Sequence, residues 1–169
     1  GVAIPPEAWA IIDGAFIEAQ RPDGGWNYTQ NDEPSRGSMT AAAVATLMIT
    51  DEQVPATRRP ATGPADARRA AIDRGIRWLG RRFRTDENPG SGAWFFYYAY
   101  SIERVGLAAG IVRLAGRDWF RELARESIDR TCRRTDDDRI VLRRDRRTRV
   151  DDLAFTLLLL SRGRVPLLA

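Results

Sequence analysis

The sequence predicts an all-α fold of about six helices, arranged as three helical hairpins. Three observations carry that expectation. Apolar residues recur at three- and four-residue spacing in one segment after another, the mark of a helix with one buried face. Clusters of Pro, Gly, Asn and Asp separate those segments. No long run of alternating apolar and polar residues competes for a sheet. The 169 residues are enough for one domain with a sizeable core. They read as a single helical-repeat domain with hairpins at about 5–50, 65–110 and 118–163, expected to be part of a longer chain.

The first helix is expected from Pro5 to about Gln20. Pro5 and Pro6 suit its start, because their missing N–H groups would lack partners there anyway. Trp9, Ile12, Phe16 and Ile17 form its apolar face, and Arg21-Pro22-Asp23-Gly24-Gly25 breaks it. After a polar stretch, Ser38 is the expected N-cap of a second helix through about Ile49. Its residues Ala41, Ala42, Ala43 and Ala45 suit close helix packing. Pro55 to Pro64 reads as a long loop. A third helix covers roughly Ala65 to Phe83, with Ile72, Ile76 and Leu79 on one face and Trp78 beside it.

The fourth helix, near Trp94 to Ala109, is aromatic on more than one side, as a helix buried all round would be. Asp118 is the expected cap of a fifth helix, whose apolar set is Trp119, Phe120, Leu123 and Ile128. Thr135 to Thr148 is charged and loop-like, with Ile140-Val141-Leu142 able to form a short extended piece. The sixth helix runs from about Arg149 to Ser161. It opens on the capping-box pattern Thr148-Arg149-Val150-Asp151 and stops at Gly163 and Pro166.

Composition narrows the chemistry. Hydrophobic residues make up 43% and charged residues 30%, the balance of an ordinary globular chain. All 27 positive residues are Arg, set against 23 acidic ones, for a net charge of +4. Those arginines are dispersed among acids. The densest run, Arg143-Arg144-Asp145-Arg146-Arg147, is broken by Asp145, so no nucleic-acid partner is expected. No apolar run approaches the roughly 20 residues of a membrane span, and Leu157 to Leu160 is the longest. A first residue of Gly1 rather than Met suggests processing or trimming, which leaves the compartment open, export included. The absence of His rules out a His general base or triad. Cys132 stands alone, so no intrachain disulfide forms, and one thiolate plus carboxylates is a poor zinc set. Neither a metal nor another cofactor is expected.

The chain repeats itself. Gln20, Gly24 and Trp26 close the first helix ahead of a small-residue helix, and Gly92 and Trp94 recur ahead of the aromatic helix. The third unit, Ile128 through Asp152, keeps a helix-loop-helix pattern without Gly-x-Trp. The Gln20-x-x-x-Gly24-x-Trp26 element resembles the QW repeat of the prenyltransferase and squalene-cyclase superfamily. The resemblance implies a partial α/α toroid of inner and outer helices, in which Gln and Trp tie one helix end to the next helix start. The stretches Gly92 to Gly106, Arg117 to Phe120 and Phe155 to Pro166 look like the C-terminal repeats of large bacterial proteins with such toroid segments.

The resemblance also supplies candidate sites. Squalene-type cyclases use Asp-x-Asp-Asp, in which the middle Asp protonates an alkene. Arg149-Val150-Asp151-Asp152 is similar, but Arg149 stands where the first Asp should be. Asp151 and Asp152 are therefore weak catalytic candidates, and both suit the start of a helix equally well. The zinc ligands of prenyltransferase β subunits include His, which is missing here. Cys132 lies between Thr131 and Arg133, not in the Gly-Cys-Gly-Glu-Gln setting of thioester proteins. On the aromatic helix, Tyr97, Tyr100 and Arg104 share a face that could hold an apolar or sugar ligand if it lined a cavity. The functional expectation is a non-catalytic binding or scaffolding module that packs on further repeats of a parent chain or on itself. The alternative is a fragment of a class II terpene cyclase-like or carbohydrate-active enzyme with an aromatic central cavity.

Overall fold

A computed structural model describes residues 4–29, 33–53, 64–143 and 149–161. Its helices are α1 (Pro6–Glu18), α2 (Gly37–Gln53), α3 (Pro64–Arg82), α4 (Phe95–Ala108), α5 (Trp119–Thr131) and α6 (Val150–Leu160). Two short strands, β1 (Cys132–Arg134) and β2 (Ile140–Leu142), pair antiparallel between α5 and α6. The fold is thus predominantly α-helical, as the periodicity predicts. Pro64, placed at the end of the expected loop, is instead the first residue of α3. The rest of that loop (55–63), the Arg144–Arg147 part of the basic run, and the signals at Thr148, Gly163 and Pro166 lie outside the described residues.

The hub is α2. It packs against α1, α3 and α4, and α4 in turn carries α5 and α6. Its small side chains permit this: Ala41 and Ala43 are fully buried beside Val44 and Leu47. Around them lie Trp26, Trp78, Leu79, Tyr98, Ile102 and Trp119.

Two residue types at the helix crossings explain the tight fit. A methyl group at Gly75 of α3 would press on Val44 and on the Trp26 ring, and one at Gly106 of α4 would overlap the Trp119 ring. Each glycine is the flat seat of a buried indole. This seating, more than backbone freedom, explains two helix-interior glycines that local propensity disfavours.

Several local expectations need correction. Ser38 is not the N-cap of α2, which starts one residue earlier. The Ser38 amide is instead capped by the Asn88 side chain, reaching in from the loop before α4 (2.9 Å). The α6 capping box is shifted by one residue. Asp152, not Asp151, accepts the Arg149 amide (3.1 Å). Arg149, having only donors, supplies no reciprocal side-chain acceptor. The segment after α5 holds the short extended piece expected at Ile140-Val141-Leu142, as β2. Cys132, expected within the helical unit, leaves it as the first residue of a β-ribbon, held by pairing to Leu142. Ile12 and Ile128, assigned to apolar helix faces, stay outside the core, at 37% and 36% exposure.

The glycine seats give a signed expectation. Gly106→Ala should destabilise the chain by about 1–3 kcal/mol through overpacking. Gly14→Ala has open space around it on exposed α1. It should stabilise by about 0.5–1 kcal/mol through helix propensity. Urea-unfolding midpoints of the two variants should therefore move in opposite directions.

Candidate functional site

The first interhelical junction is built from the Gln20–Trp26 segment. The Gln20 side-chain amide donates to the carbonyls of Gly24 (3.0 Å) and Ala71 (2.9 Å), and its oxygen accepts from Arg74 Nε (2.9 Å). Gly24 turns the chain with φ of +90°. Trp26 then enters the core. Its indole N–H donates back to the Phe16 carbonyl of α1 (2.8 Å), and its amide donates to Thr40 Oγ1 of α2 (3.0 Å). Gln20 and Trp26 thus bind the end of α1 to α2 and α3.

Asp23, which the sequence offered only as part of a breaker, is the acceptor at the centre of this junction. One carboxylate oxygen takes the Ser35 hydroxyl (2.7 Å) and the Gly25 amide (3.0 Å), and the other takes the Trp78 indole N–H (2.8 Å). Desolvation acts to raise its pKa. The hydrogen bonds from Ser35, Gly25 and Trp78, with the nearby charge of Arg82, outweigh this and hold it below its ordinary value. An acid inside a Gly-rich helix-to-helix turn was the available signal.

Gly92 and Trp94 do not reproduce this arrangement. Trp94 is the N-cap residue of α4, left-handed at φ 61° and ψ 39°, and 53% exposed. The Arg149 guanidinium lies over its ring, 5.5 Å from the centroid. Gly92 has φ of +67° and open space around it. The second junction is held by Asn88 instead. Its oxygen accepts the Ser38 amide and its nitrogen donates to Ser38 Oγ (3.0 Å), while the Gly37 amide donates to the Pro89 carbonyl (2.8 Å).

Tyr97 and Tyr100 do share a face of α4, and that face meets α6. Both rings tilt against Phe155, at centroid distances of 5.5 and 5.6 Å. Burial is the main cause of a raised Tyr97 pKa. Arg104, one turn further along, is half-buried. Asp151 and Asp152 are brought to the start of α6. Asp151 accepts Arg149 Nε (3.0 Å) and Asp152 caps the helix. The Cys132 thiol lies 3.6 Å from the Thr131 hydroxyl. Among the described residues, no three or more Cys, Asp and Glu side chains are grouped to hold a metal ion. No helix among them is long and apolar enough to cross a membrane. No family model, curated protein or solved structure matches the chain.

Two expectations follow from these junctions. Trp26→Ala should cost about 3–5 kcal/mol, the usual penalty for emptying a buried indole site. Trp94→Ala should cost no more than about 1 kcal/mol, the scale of an exposed cation–π contact. Chemical denaturation of both variants separates them.

The second concerns acid. The folded pKa of Asp23 is depressed relative to the unfolded value of about 3.9. Its stabilisation is therefore complete above that value and is lost as the pH falls through the folded pKa. Asp23→Asn should lower stability at pH 7 and flatten part of the loss below about pH 4. Urea titrations at pH 7 and pH 3 test both effects.

Proposed function

We propose that this chain is a non-catalytic helical-repeat scaffolding module that joins further helical repeats, of its parent chain or of a second copy, through the outer face of α6. In this reading α2, α4 and α6 form the inner row of a partial α/α toroid, with α1, α3 and α5 outside.

The observation that carries the proposal is the asymmetry of α6. Phe155, Thr156 and Leu159 face inward, the latter two buried. Val150, Ala154, Leu157 and Leu158 fall on the other side at helical spacing, and Val150, Leu157 and Leu158 are 84%, 68% and 47% exposed. A contiguous apolar stripe of this kind marks an interaction surface more often than an ordinary solvated one. Repeat units bury such faces against their neighbours. The residues that would have served catalysis support the same reading. Asp151 and Asp152 are engaged at the α6 start. Phe155 packs against Tyr97 and Tyr100, on the face that could have held a ligand had it lined a cavity.

Leu157→Glu with Leu158→Glu tests this. Sedimentation velocity at micromolar concentration should show concentration-dependent association of the chain that the double variant abolishes, with helical content unchanged. A chain that stays monomeric, and whose α6 amides gain no protection from hydrogen exchange when flanking repeats are attached, would overturn the proposal.

A further inference from the structure

We infer that the arginine-lined groove between the end of α3 and the loop before α5 binds the phosphate group of a small molecule, gripped by Arg81, Arg82, Arg84 and Arg117. The groove has a volume of about 800 Å³, within the range of small-ligand sites. The buried Phe83 ring forms part of its wall, and the carboxylates of Asp86 and Glu87 line it beside the four arginines.

The four guanidiniums differ in how far they are already engaged. Arg84 is paired with Asp86 (2.7 Å) and Glu87 (3.3 Å). Arg117 bonds to Glu122 and reaches Thr85 Oγ1 at 3.3 Å. Arg81 and Arg82 have no ion-pair partner among the described residues. Arg81 reaches only the Asp23 backbone carbonyl, at 3.5 Å. Arg82 lies over the Trp78 ring, 5.3 Å from its centroid. It is near enough to Asp23 to influence that carboxylate, whose oxygens are taken by Ser35, Gly25 and Trp78.

Position at the carboxyl end of α3 accounts for cations there, since the helix dipole favours them. It does not use up their donors. Adjacent Arg81 and Arg82 thus bring two charges without an ion-pair partner to one concave surface. The flat guanidinium fork matches phosphate oxygens two at a time. Arg82 over Trp78 and Arg117 over Phe83 (5.4 Å) are each steadied by a ring that takes no N–H group. Two such charges complement a phosphate dianion better than a single carboxylate.

A nucleic-acid backbone would need a continuous basic track. On the β-ribbon side of the groove, Arg130, Arg134 and Arg139 are paired with Glu126, Asp138 and Asp137, which interrupts a basic track in that direction. The site is separate from the α6 face and does not depend on the scaffolding reading.

The test is isothermal titration calorimetry of inorganic pyrophosphate into the chain at low ionic strength. One saturable site per chain is expected, weakening with added NaCl. R81Q/R82Q should weaken it at least tenfold, and R134Q, on the β-ribbon, should leave it unchanged. If the double variant loses its helical signal, R84Q, which alters an exposed side chain, should still weaken binding at least threefold. Absence of saturable heat at millimolar pyrophosphate would overturn the inference. So would equal loss in R134Q, or failure of both R81Q/R82Q and R84Q to weaken binding. Tighter binding of a short single-stranded oligonucleotide than of pyrophosphate would replace the small-molecule site with a nucleic-acid surface.

Discussion

A buried ion pair, Asp13 with Arg68, fixes how the first three helices meet. Asp13 is the one buried residue of α1, at 3% exposure, and Arg68 of α3 is 4% exposed. Taking both charges out of water costs several kcal/mol each, so the arrangement survives only if the pairing is complete. It is complete. Arg68 donates Nε and Nη2 to the two oxygens of Asp13 (2.6 and 3.0 Å) and Nη1 to Asp51 of α2 (2.7 Å). Thr50 of α2 adds a hydroxyl to Asp13 (2.6 Å). The hydrogen bond to Asp13 is the first cause of a raised Arg68 pKa, prevailing over desolvation. A one-residue slip of α3 would carry Arg68 about 1.5 Å along and 100° around its axis, stranding both charges. The pair therefore selects a single register, whatever it adds to net stability.

Polar groups at the far end of these helices complete the frame around an apolar layer. Between the Asp13–Arg68 joint and the Gln20–Asp23 junction lie Val44, Leu47, Ala71 and Leu79, all essentially inaccessible. The three buried indoles add no unpaired polar group to that layer, because each N–H finds an acceptor at the core's edge. Trp26 donates to Phe16, Trp78 to Asp23, and Trp119 to the Ile111 carbonyl (2.6 Å). Large rings can thus fill the helix crossings without leaving a donor orphaned. Asp23 links the two levels of organisation. The carboxylate that orders its own turn also satisfies a core indole on α3.

What could be read in the sequence was whatever acts within one helix. Apolar spacing and breakers put α1, α4 and α6 within about two residues of their observed ends. The second helix ran on to Gln53, past the expected stop near Ile49, because Thr50 and Asp51 face the Arg68 joint. What could not be read depends on partners far along the chain. Ser38 has the right chemistry for a cap, but the donor-satisfying oxygen belongs to Asn88 in another loop. Nothing local marks Asp13 and Arg68 as partners. The strand Ile140–Leu142 was legible as a short apolar piece, but its partner Cys132–Arg134 is too short and too polar to show alternation. Gly-x-Trp misled because its spacing repeats while its distance to the next helix does not. Residues 27–36 separate Trp26 from α2, whereas Trp94 directly caps α4.

The exclusive use of arginine fits this architecture. A lysine ammonium could carry the same charge, but it cannot offer a planar fork to Asp13 while reaching Asp51 as well. A buried lysine would also tend to lose its proton, where a guanidinium keeps it. The same planarity lets arginine lie over aromatic rings at helix junctions. Arg130 sits 4.1 Å from the Phe95 centroid while pairing with Glu126, and Arg143 donates from the β-ribbon to the carbonyls of Asp129 (3.1 Å) and Cys132 (2.9 Å). Much of the positive charge is in this way committed to the chain's own acids, rings and carbonyls. A sequence pI near 9.9 therefore reflects how the helices are joined as much as any attraction to polyanions. Arg81 and Arg82 inform about ligands because they join a charge without an ion-pair partner among the described residues to a place on one concave surface.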